Sequence, residues 1–423
     1  MVRPGDSVWS IARNFGVTPE SIIDANKLGS SPELVIGQTL VIPSRERAYR
    51  VQVGDTIWSI SRKFGVSPES IATLNDIQSP YIIYPGLVIR IPEKSKNYGY
   101  LEVNAFIQPS TPEKEKRVLG EAIEYLTYVT PFSHHVTADG GLTSLNDDTI
   151  LQVARDNKVA ALMSVTNISG DNFDTQLIDN ILNNDQLQST LISNILNLIK
   201  SKGYYGVVVD FERISPENRE KYNNFLRKLV DALHPNYIVV TALAPKTYDV
   251  TTGSWHGAHD YKAHGEIVDF VIIMTYEWGY TYGPPMAVAP YNSVRDVLDY
   301  AVTDIDPEKI RLGVPNYGYN WVLPFVQGES RATVVGNVGA VNLARDENVA
   351  IEFDEEARAP FFTFYDEDRR EHIVWFEDAR SIDAKLRLIE EYGLNGASYW
   401  TIMREFPQNW LVVISLYNII KLI

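Results

Sequence analysis

The sequence predicts an α/β protein in which two small βααβ modules precede a (β/α)8 TIM barrel with a small α+β insertion after strand seven. Three observations support this prediction. The N-terminal part of the chain repeats itself at a constant offset of 49 residues. Eight apolar runs follow, most of them separated by helical patterns. The chain has 423 residues, 45% of them hydrophobic and 22% charged, which is typical of a folded soluble protein with more than one domain.

The N-terminal repeat is a tandem duplication whose copies align without an insertion. Matching segments include Gly5-Asp6 with Gly54-Asp55, Trp9-Ser10-Ile11 with Trp58-Ser59-Ile60, Pro19-Glu20-Ser21-Ile22 with Pro68-Glu69-Ser70-Ile71, and Ile42-Pro43 with Ile91-Pro92. We therefore expect two modules of the same fold, one over residues 1–44 and one over residues 49–92.

Local patterns in the second copy predict a strand, two helices and a closing strand. Residues 49–53 alternate like a short strand, and Asp55-Thr56 offers an N-cap before apolar residues at helical spacing. Gly65 ends that helix, and Pro68 opens the second one at its first turn. Residues 87–91 return as a strand.

The remaining chain alternates strand-like and helical patterns. The apolar runs cover residues 101–107, 125–131, 159–166, 206–212, 237–244, 268–276, 310–317 and 396–402. Runs dense in Val, Ile and Tyr suit a parallel sheet covered by helices, and eight of them predict a barrel over residues 98–423. An insertion is expected at about residues 322–377, between the last two runs, because it contains its own strand-like pieces.

The segment YYGVVVDFERIS, residues 204–215, runs a buried-strand pattern into two carboxylates. Because side chains alternate along a strand, Asp210 and Glu212 should share the inward face at the C-terminal mouth of the barrel, with Phe211 toward the helices. Such a pair suits glycoside hydrolysis, since one acid must be protonated and a neighbouring negative charge raises its pKa. A carboxylate after a strand can instead be an N-cap, but Ser215-Pro216 already offers a better cap for the next helix.

Composition argues against several other function classes. The net charge of -16 disfavours nucleic acid, which needs a basic face. There is no cysteine, and the seven histidines show no HExxH spacing, so we expect no metal and no other cofactor. The apolar tail at residues 410–423 is too short and interrupted to span a bilayer, so we expect no membrane partner and interpret this tail as a last core helix.

Charge is divided unevenly between the two parts of the chain. Residues 1–92 carry nine Lys or Arg against eight acids, a net charge of +1, so -17 lies on the other 331 residues. The acidity therefore belongs to the second part, which leaves the repeats free to approach an anionic polymer.

Residues 1–92 resemble LysM domains, small βααβ modules that bind glycans containing N-acetylglucosamine. The resemblance rests on VxxGDTxWSIxxxFGV, the Asn at the end of the second helix and the final PGxxIxIP. It implies that sugar lies against the loop after the first strand and the loop before the last one. The residues implied in the first of these loops are Gly5, Asp6, Ser7, Gly54, Asp55 and Thr56. Turn geometry and helix capping alone would also select these residue types.

Residues 98–423 resemble glycoside hydrolase family 18, whose fourth-strand signature is DGxDxDxE. Gly206, Asp210 and Glu212 fit this signature, whereas Tyr205 and Val208 stand where its first two aspartates would be. Further matches are Met274-Thr275-Tyr276-Glu277 for MxYD, Gly313-Val314-Pro315-Asn316-Tyr317-Gly318 for the strand-seven motif, the tryptophan Trp400, and half of SxGG at Ser164-Val165-Thr166-Asn167.

The family resemblance implies a retaining, substrate-assisted mechanism. Glu212 would protonate the glycosidic oxygen and later activate water, and Asp210 would orient the acetamido group and stabilise its positive charge. Tyr276 would bind the acetamido oxygen, and Trp400 would stack beneath the distorted sugar ring. Further residues expected to line the pocket are Asn104, Met274, Glu277, Asn316 and Tyr317. Tyr276 and Trp400 could otherwise serve as aromatic filling of the barrel.

Both halves of the chain indicate a polymer of N-acetylglucosamine as the binding partner. We expect the protein to be a monomer. A LysM pair before this variant barrel resembles the spore cortex-lytic enzymes of endospore-forming bacteria, which act on peptidoglycan as N-acetylglucosaminidases. That resemblance implies a place in the spore coat and cortex region or the cell wall, and no signal peptide is visible. The alternatives are a chitinase acting on chitin oligomers and a catalytically silent wall-binding protein. The retained Glu212 argues against a catalytically silent protein.

Overall fold

The computed structural model describes residues 1–29, 32–43, 46–92 and 98–423. The second repeat forms two antiparallel strands, Glu46–Arg50 and Val88–Pro92, that enclose helices Ile57–Phe64 and Pro68–Leu74. The side chain of Thr56 accepts from the N–H of Ser59, which caps the first of these helices. This βααβ unit matches the prediction from the sequence.

The first repeat keeps the two helices of its duplicate, Val8–Phe15 and Pro19–Asn26. No strand forms within the part of residues 1–43 that the structure describes. Val2 nevertheless accepts from the N–H of Gly37 and donates to the carbonyl of Gln38, both at 2.9 Å. The same two bonds link Val51 to residues 86 and 87 in the second repeat, so the copies share their hydrogen-bond pattern at this point.

A closed parallel barrel follows, as predicted. Its strands in chain order are Tyr100–Ile107, Tyr128–Pro131, Ala160–Thr166, Gly206–Asp210, Ile238–Leu243, Phe270–Ile273, Ile310–Pro315 and Gly396–Trp400. Each strand pairs in parallel with the next, and the eighth pairs with the first, Gly396 opposite Glu102. All eight strands fall within the apolar runs of the sequence, apart from Tyr100 at the start of the first.

Helices cover the outside of the barrel. They are Pro112–Ala122, Asp148–Asp156, Thr175–Leu182, Asp185–Lys202, Arg219–Leu233, Tyr261–Ile267, Tyr291–Asp304, Ala379–Tyr392 and Pro407–Leu416, with short 3-10 turns at Ile123–Tyr125, Pro216–Asn218 and Pro307–Lys309. Smaller strands are His134–His135 beside the third barrel strand, and the hairpin Ile168–Ser169 with Asn172–Phe173.

The insertion after the seventh strand is a five-stranded antiparallel sheet with one helix, Asn337–Asp346. Its strands, in spatial order, are Thr333–Gly336, Tyr317–Val322, Glu371–Trp375, Ala359–Tyr365 and Glu352–Asp354. The insertion therefore begins at Tyr317, earlier than residue 322, because this tyrosine already pairs with the insertion sheet opposite Gly336.

The C-terminal tail differs from the predicted single helix. The helix ends at Leu416, and Asn418–Ile419 forms a strand beside Tyr100–Leu101 of the first barrel strand. Asn418 also donates to the carbonyl of Gly99, just before that strand begins. Within the described parts of the chain, no helix is long and apolar enough to cross a membrane.

Side chains of the fourth strand alternate as the sequence predicted. Val207 and Val209 pack with the helix-covered core, and Phe211 contacts Phe225 on the outer side at a ring distance of 5.8 Å. Val208 belongs instead to the apolar cluster inside the barrel. Asp210 follows on that inner face, so the floor beneath this carboxylate is apolar.

The first repeat is docked on the insertion. Val35 is buried in the insertion core, Thr39 Oγ1 donates to Asp378 Oδ2 at 2.8 Å, and the carbonyl of Ile36 accepts from Ile351 N at 2.8 Å. Gly37 allows this approach, because a Cβ there would lie 1.8 Å from the carbonyl oxygen of Ile351.

The matching surface of the second repeat is open to solvent. Tyr84 occupies the position of Val35 and is 68% exposed, against 5% for Val35. Val88, which corresponds to Thr39, is also exposed. The two copies therefore use one surface differently, and the first copy forms part of the body that carries the barrel.

Candidate active site

The carboxylate pair lies at the C-terminal mouth of the barrel. Asp210 is the last residue of the fourth strand and is 5% exposed, with Oδ1 unpartnered among the described residues. Glu212 stands just beyond the strand and is half-buried. The next residue, Arg213, has a φ of 55°, so the chain turns sharply after Glu212. Both carboxylates line one cavity of about 390 Å³.

Two buried side chains hold the backbone beneath Glu212. Asn167 Nδ2 donates to the carbonyl of Glu212 at 2.9 Å, while its Oδ1 accepts from the N–H of Glu212 at 3.0 Å. On the opposite side, His259 Nε2 donates to the carbonyl of Phe211 at 3.0 Å, since its Nδ1 already accepts from Ala244 N at 2.8 Å. Burial lowers the pKa of His259 to about 4, so this imidazole is neutral.

The electrostatics of the pair favour protonation near neutral pH. Burial raises the pKa of Asp210 to about 7. Burial also raises the pKa of Glu212 well above its ordinary value, with smaller contributions from the charges of Asp210 and Glu277, while Arg213 opposes the rise. A carboxylic acid that keeps its proton in this way can donate it to a leaving oxygen.

Aromatic side chains complete the cavity. The indole of Trp400 packs against Phe132 at 4.7 Å and Phe106 at 5.5 Å, and one face of the cavity is formed by this group. Tyr276 also lines the cavity, and burial raises the pKa of its hydroxyl further above the ordinary value, so the group remains a donor. Gly313 leaves the space for this ring, because a Cβ there would lie 2.9 Å from Tyr276 Cε1.

Glu277 closes the wall beyond Tyr276. Its φ of 67° turns the side chain into the cavity, where Oε1 accepts from the hydroxyls of Tyr317 and Tyr319. Burial raises the pKa of Glu277, and these two hydroxyl donors oppose the rise. Tyr317 therefore acts through Glu277, at the border of the cavity.

The predicted residues divide into two groups. Those that the structure brings to the cavity are Asp210, Glu212, Met274, Tyr276, Glu277 and Trp400. Asn104 lies deeper, where its amide bonds Ser398 and Thr130 inside the barrel, and it does not line the cavity. Asn316 is also buried away from the cavity, and its amide donates to the carbonyl of Arg404. Neither asparagine is among the residues that line the cavity, although Asn316 Oδ1 has no hydrogen-bond partner among the described residues. Substrate contact by either one therefore stays a prediction.

Sequence reasoning missed several residues around the pair. Phe173, Trp255 and Arg213 line the cavity, and His259 holds the backbone from a loop after the fifth strand. Asn167 was recognisable as part of a partly kept motif on the third strand. No comparable pattern marks the others, since they come from loops whose course the sequence does not specify.

The predicted glycan-binding residues of the repeats have structural roles. Ser7 and Thr56 cap helices, and Asp55 accepts from the N–H of Gln52. Gly5 and Gly54 have φ values of 83° and 89°, which turns of this shape require. Capping and turn geometry thus account for these residue types, and glycan contact remains a proposal.

Among the described residues, no group of three or more His, Cys, Asp or Glu could hold a metal ion. The acid pair, the tyrosine hydroxyl and the aromatic floor are groups that suit hydrolysis of a glycoside.

The barrel and its paired carboxylates define a glycoside hydrolase. The chain belongs to glycosyl hydrolases family 18, whose family model matches residues 100–405. The LysM domain model matches residues 1–43 and 49–92. Both resemblances drawn from the motifs are thereby confirmed.

Similar proteins share the whole architecture. The chain is 46% identical to the cortical fragment-lytic enzyme of Bacillus cereus, over 99% of this chain and 98% of that enzyme. It is 44% identical to the enzyme of the same name from Bacillus subtilis strain 168, over 100% and 98%. The crystal structure of the spore cortex-lytic enzyme SleL of Bacillus megaterium QM B1551 has a TM-score of 0.91 and 41% identity, covering 100% of this chain and 98% of that one.

Proposed function

We propose that this enzyme hydrolyses spore cortex peptidoglycan as an endo-N-acetylglucosaminidase during germination. The observation that carries the proposal is similarity along the full length of the chain to cortical fragment-lytic enzymes. A cavity acid, Glu212, whose pKa burial raises well above its ordinary value, supports it. The bond cut is the one after N-acetylglucosamine. The site of action is the spore cortex and coat region or the cell wall, and the protein acts as a monomer.

Catalysis follows a retaining, substrate-assisted course. The proton of Glu212 passes to the glycosidic oxygen, and the acetamido oxygen of the substrate attacks the anomeric carbon as that C–O bond breaks. The resulting positive charge spreads over the acetamido group, where Asp210 stabilises it. Water then attacks the anomeric carbon, gives its proton to Glu212 and restores the acetamido group, so configuration is retained.

Positions of the surrounding groups support this course. Tyr276 keeps its hydroxyl proton and can donate to the acetamido oxygen, and Trp400 offers an aromatic face to the sugar ring. Val208 lies beneath Asp210 where the family signature has an acid. Asp210 therefore lacks the usual proton-sharing partner, while its own charge raises the pKa of Glu212.

The two repeats bind the same polymer and hold the enzyme on it. Their glycan contacts are assigned to Gly5, Asp6 and Ser7 in the first copy and to the matching residues 54–56 in the second. Linking two modules to one catalytic body raises the effective concentration of an insoluble substrate around the active site.

Mass spectrometry of borohydride-reduced products from purified cortex peptidoglycan tests the proposal. Fragments that end in reduced N-acetylglucosamine are expected, and Glu212→Gln should fold normally and release none. Cleavage of chitin oligomers without release from cortex would indicate a chitinase. Inactivity of the parent enzyme on both substrates would indicate a wall-binding protein, and full turnover by Glu212→Gln would contradict the assigned acid.

A further inference from the structure

A second cleft adjoins the active-site cavity on the side of the first and eighth strands. Its volume is about 460 Å³, and it shares Trp400 and Glu277 with the catalytic cavity. A polymer whose sugar unit lies over Trp400 would therefore place its neighbouring unit in this cleft. Tyr317 and Tyr319 form part of its wall and hold Glu277 by their hydroxyls.

Two cations that have no ion-pair partner among the described residues line this cleft. Lys114 comes from the first turn of helix Pro112–Ala122, and Arg404 from the loop after the eighth strand; both are exposed. Within the described parts of the chain, neither forms an ion pair with a carboxylate. Among the acidic residues next to them in the chain, Glu405 pairs with Arg117 and Glu115 accepts from the N–H of Ser110, while Glu113 does not line the cleft.

The charge of this cleft is unusual for the molecule. The barrel region carries -17, yet the acid lining the cleft among the described residues, Glu277, already accepts from two tyrosine hydroxyls. Two free cations beside an acidic body form a local site for an anion. A ligand carboxylate that reaches both cations can form charge-assisted hydrogen bonds with each of them, and such bonds are stronger than those between neutral groups.

We propose that Lys114 and Arg404 bind a carboxylate on the sugar next to the N-acetylglucosamine held over Trp400. This inference rests on the proposed function and names what the adjoining subsite recognises. In an alternating peptidoglycan strand that neighbour is N-acetylmuramic acid, whose 3-O-lactyl arm ends in a carboxylate or in a peptide that carries one. The corresponding unit of chitin is uncharged, so this subsite selects peptidoglycan against chitin.

The test compares charged and neutralised forms of one substrate. Soluble cortex fragments are used untreated, after amidase removal of peptides, and after conversion of carboxyls to methylamides with methylamine and carbodiimide. The double variant Lys114→Gln/Arg404→Gln should lower kcat/KM on untreated fragments about tenfold, mainly through KM, since two partly exposed ion pairs are lost. Methylamidation should lower the kcat/KM of the parent enzyme similarly and leave the variant unchanged.

Matched controls separate the possible outcomes. Lys116→Gln removes an exposed lysine of the same helix that does not line the cleft, and should behave as the parent. If the double variant loses kcat/KM only on amidase-treated fragments, the carboxylate belongs to the lactyl arm. If it loses kcat/KM only on untreated fragments, the carboxylate belongs to the peptide. Equal rates on charged and methylamidated fragments by an active parent enzyme would overturn the subsite.

Binding separates failure of the subsite from failure of the proposed function. In a Glu212→Gln background, calorimetry of untreated and methylamidated fragments should show weaker binding after methylamidation, and the double variant should remove that difference. Both proteins in this comparison contain the same two repeats, so the contribution of the repeats to the binding free energy cancels in the difference between them. A parent enzyme that never cleaves cortex would refute the proposed function, and calorimetry would still decide on the carboxylate subsite.

Discussion

The side-chain amide of Asn167 binds both backbone polar groups of Glu212, the carbonyl at 2.9 Å and the N–H at 3.0 Å. This pairing fixes the peptide that carries the proposed catalytic acid, because the third strand, which ends at Thr166, places Asn167 beside it. A carboxylate just beyond a strand end would otherwise have several backbone conformations. The backbone position of Glu212 is therefore set by the neighbouring third strand and not by the segment Asp210-Phe211-Glu212 alone.

Replacing Asn167 by alanine should reduce kcat more than it changes KM. The substitution leaves the N–H and carbonyl of Glu212 without their partner, which should also cost about 1–3 kcal/mol of unfolding free energy. Steady-state kinetics on cortex fragments and thermal melts measure both effects. Asn157→Ala is the control, since Asn157 bonds the carbonyl of Val153 far from the site and should lower stability alone. An unchanged kcat in Asn167→Ala would contradict the positioning role.

Replacing Asp210 by asparagine should stabilise the barrel at high pH. The pKa of about 7 in the folded state exceeds the ordinary value of 3.8, so the native state binds more protons than the unfolded state and loses stability as pH rises from about 4 to 7. The gain from Asp210→Asn should be small near pH 4 and reach roughly 2–4 kcal/mol by pH 8. Denaturant unfolding at both values measures it.

Asp139→Asn is the control for this pH dependence. The hydroxyl of Thr137 donates to the exposed carboxylate of Asp139 and lowers its pKa, whereas the pKa of Asp210 is raised. No gain in stability at high pH is therefore expected from this control. A pH-independent effect of Asp210→Asn would show that the carboxylate is not held protonated by its surroundings.

Replacing Glu277 by glutamine should move the basic limb of the kcat/KM profile to lower pH. The negative charge of Glu277 raises the pKa of Glu212, so its removal lets the catalytic acid ionise earlier as pH rises. The pH dependence of hydrolysis measures the displacement, with the exposed Glu355→Gln as a control that should leave the profile in place. A displacement toward higher pH would contradict the assigned coupling.

Placing a charge at the docking surface of the first repeat should release it from the barrel. Val35→Asp buries a carboxylate in the insertion core, which is unfavourable without a partner. We expect a larger radius of gyration in small-angle X-ray scattering and a lower melting temperature of the barrel. Tyr84→Asp alters the matching exposed position of the second repeat and should change neither quantity.

Strong periodic signals made most of the fold predictable. The eight strands follow apolar runs, and the alternation around Asp210 placed Phe211 on the helix-covered side, where it lies. The residues proposed as catalytic followed from motifs on strand ends, whereas His259 and Trp255 lie on the long loop after the fifth strand, which has no periodic pattern. Asn104 and Asn316 do not line the cavity, and the sequence could not show this because a buried amide can hydrogen-bond the interior of the fold as readily as a ligand.

Because the first repeat is docked on the insertion, the two repeats are no longer structurally interchangeable. Because Val35, Gly37 and Thr39 fit the insertion, a substitution at any of them also alters the contacts made there by Ile351 or Asp378. The matching surface of the second repeat carries no such constraint from the insertion, since Tyr84 and Val88 are exposed. Exchanging the two copies would therefore not restore the docked arrangement.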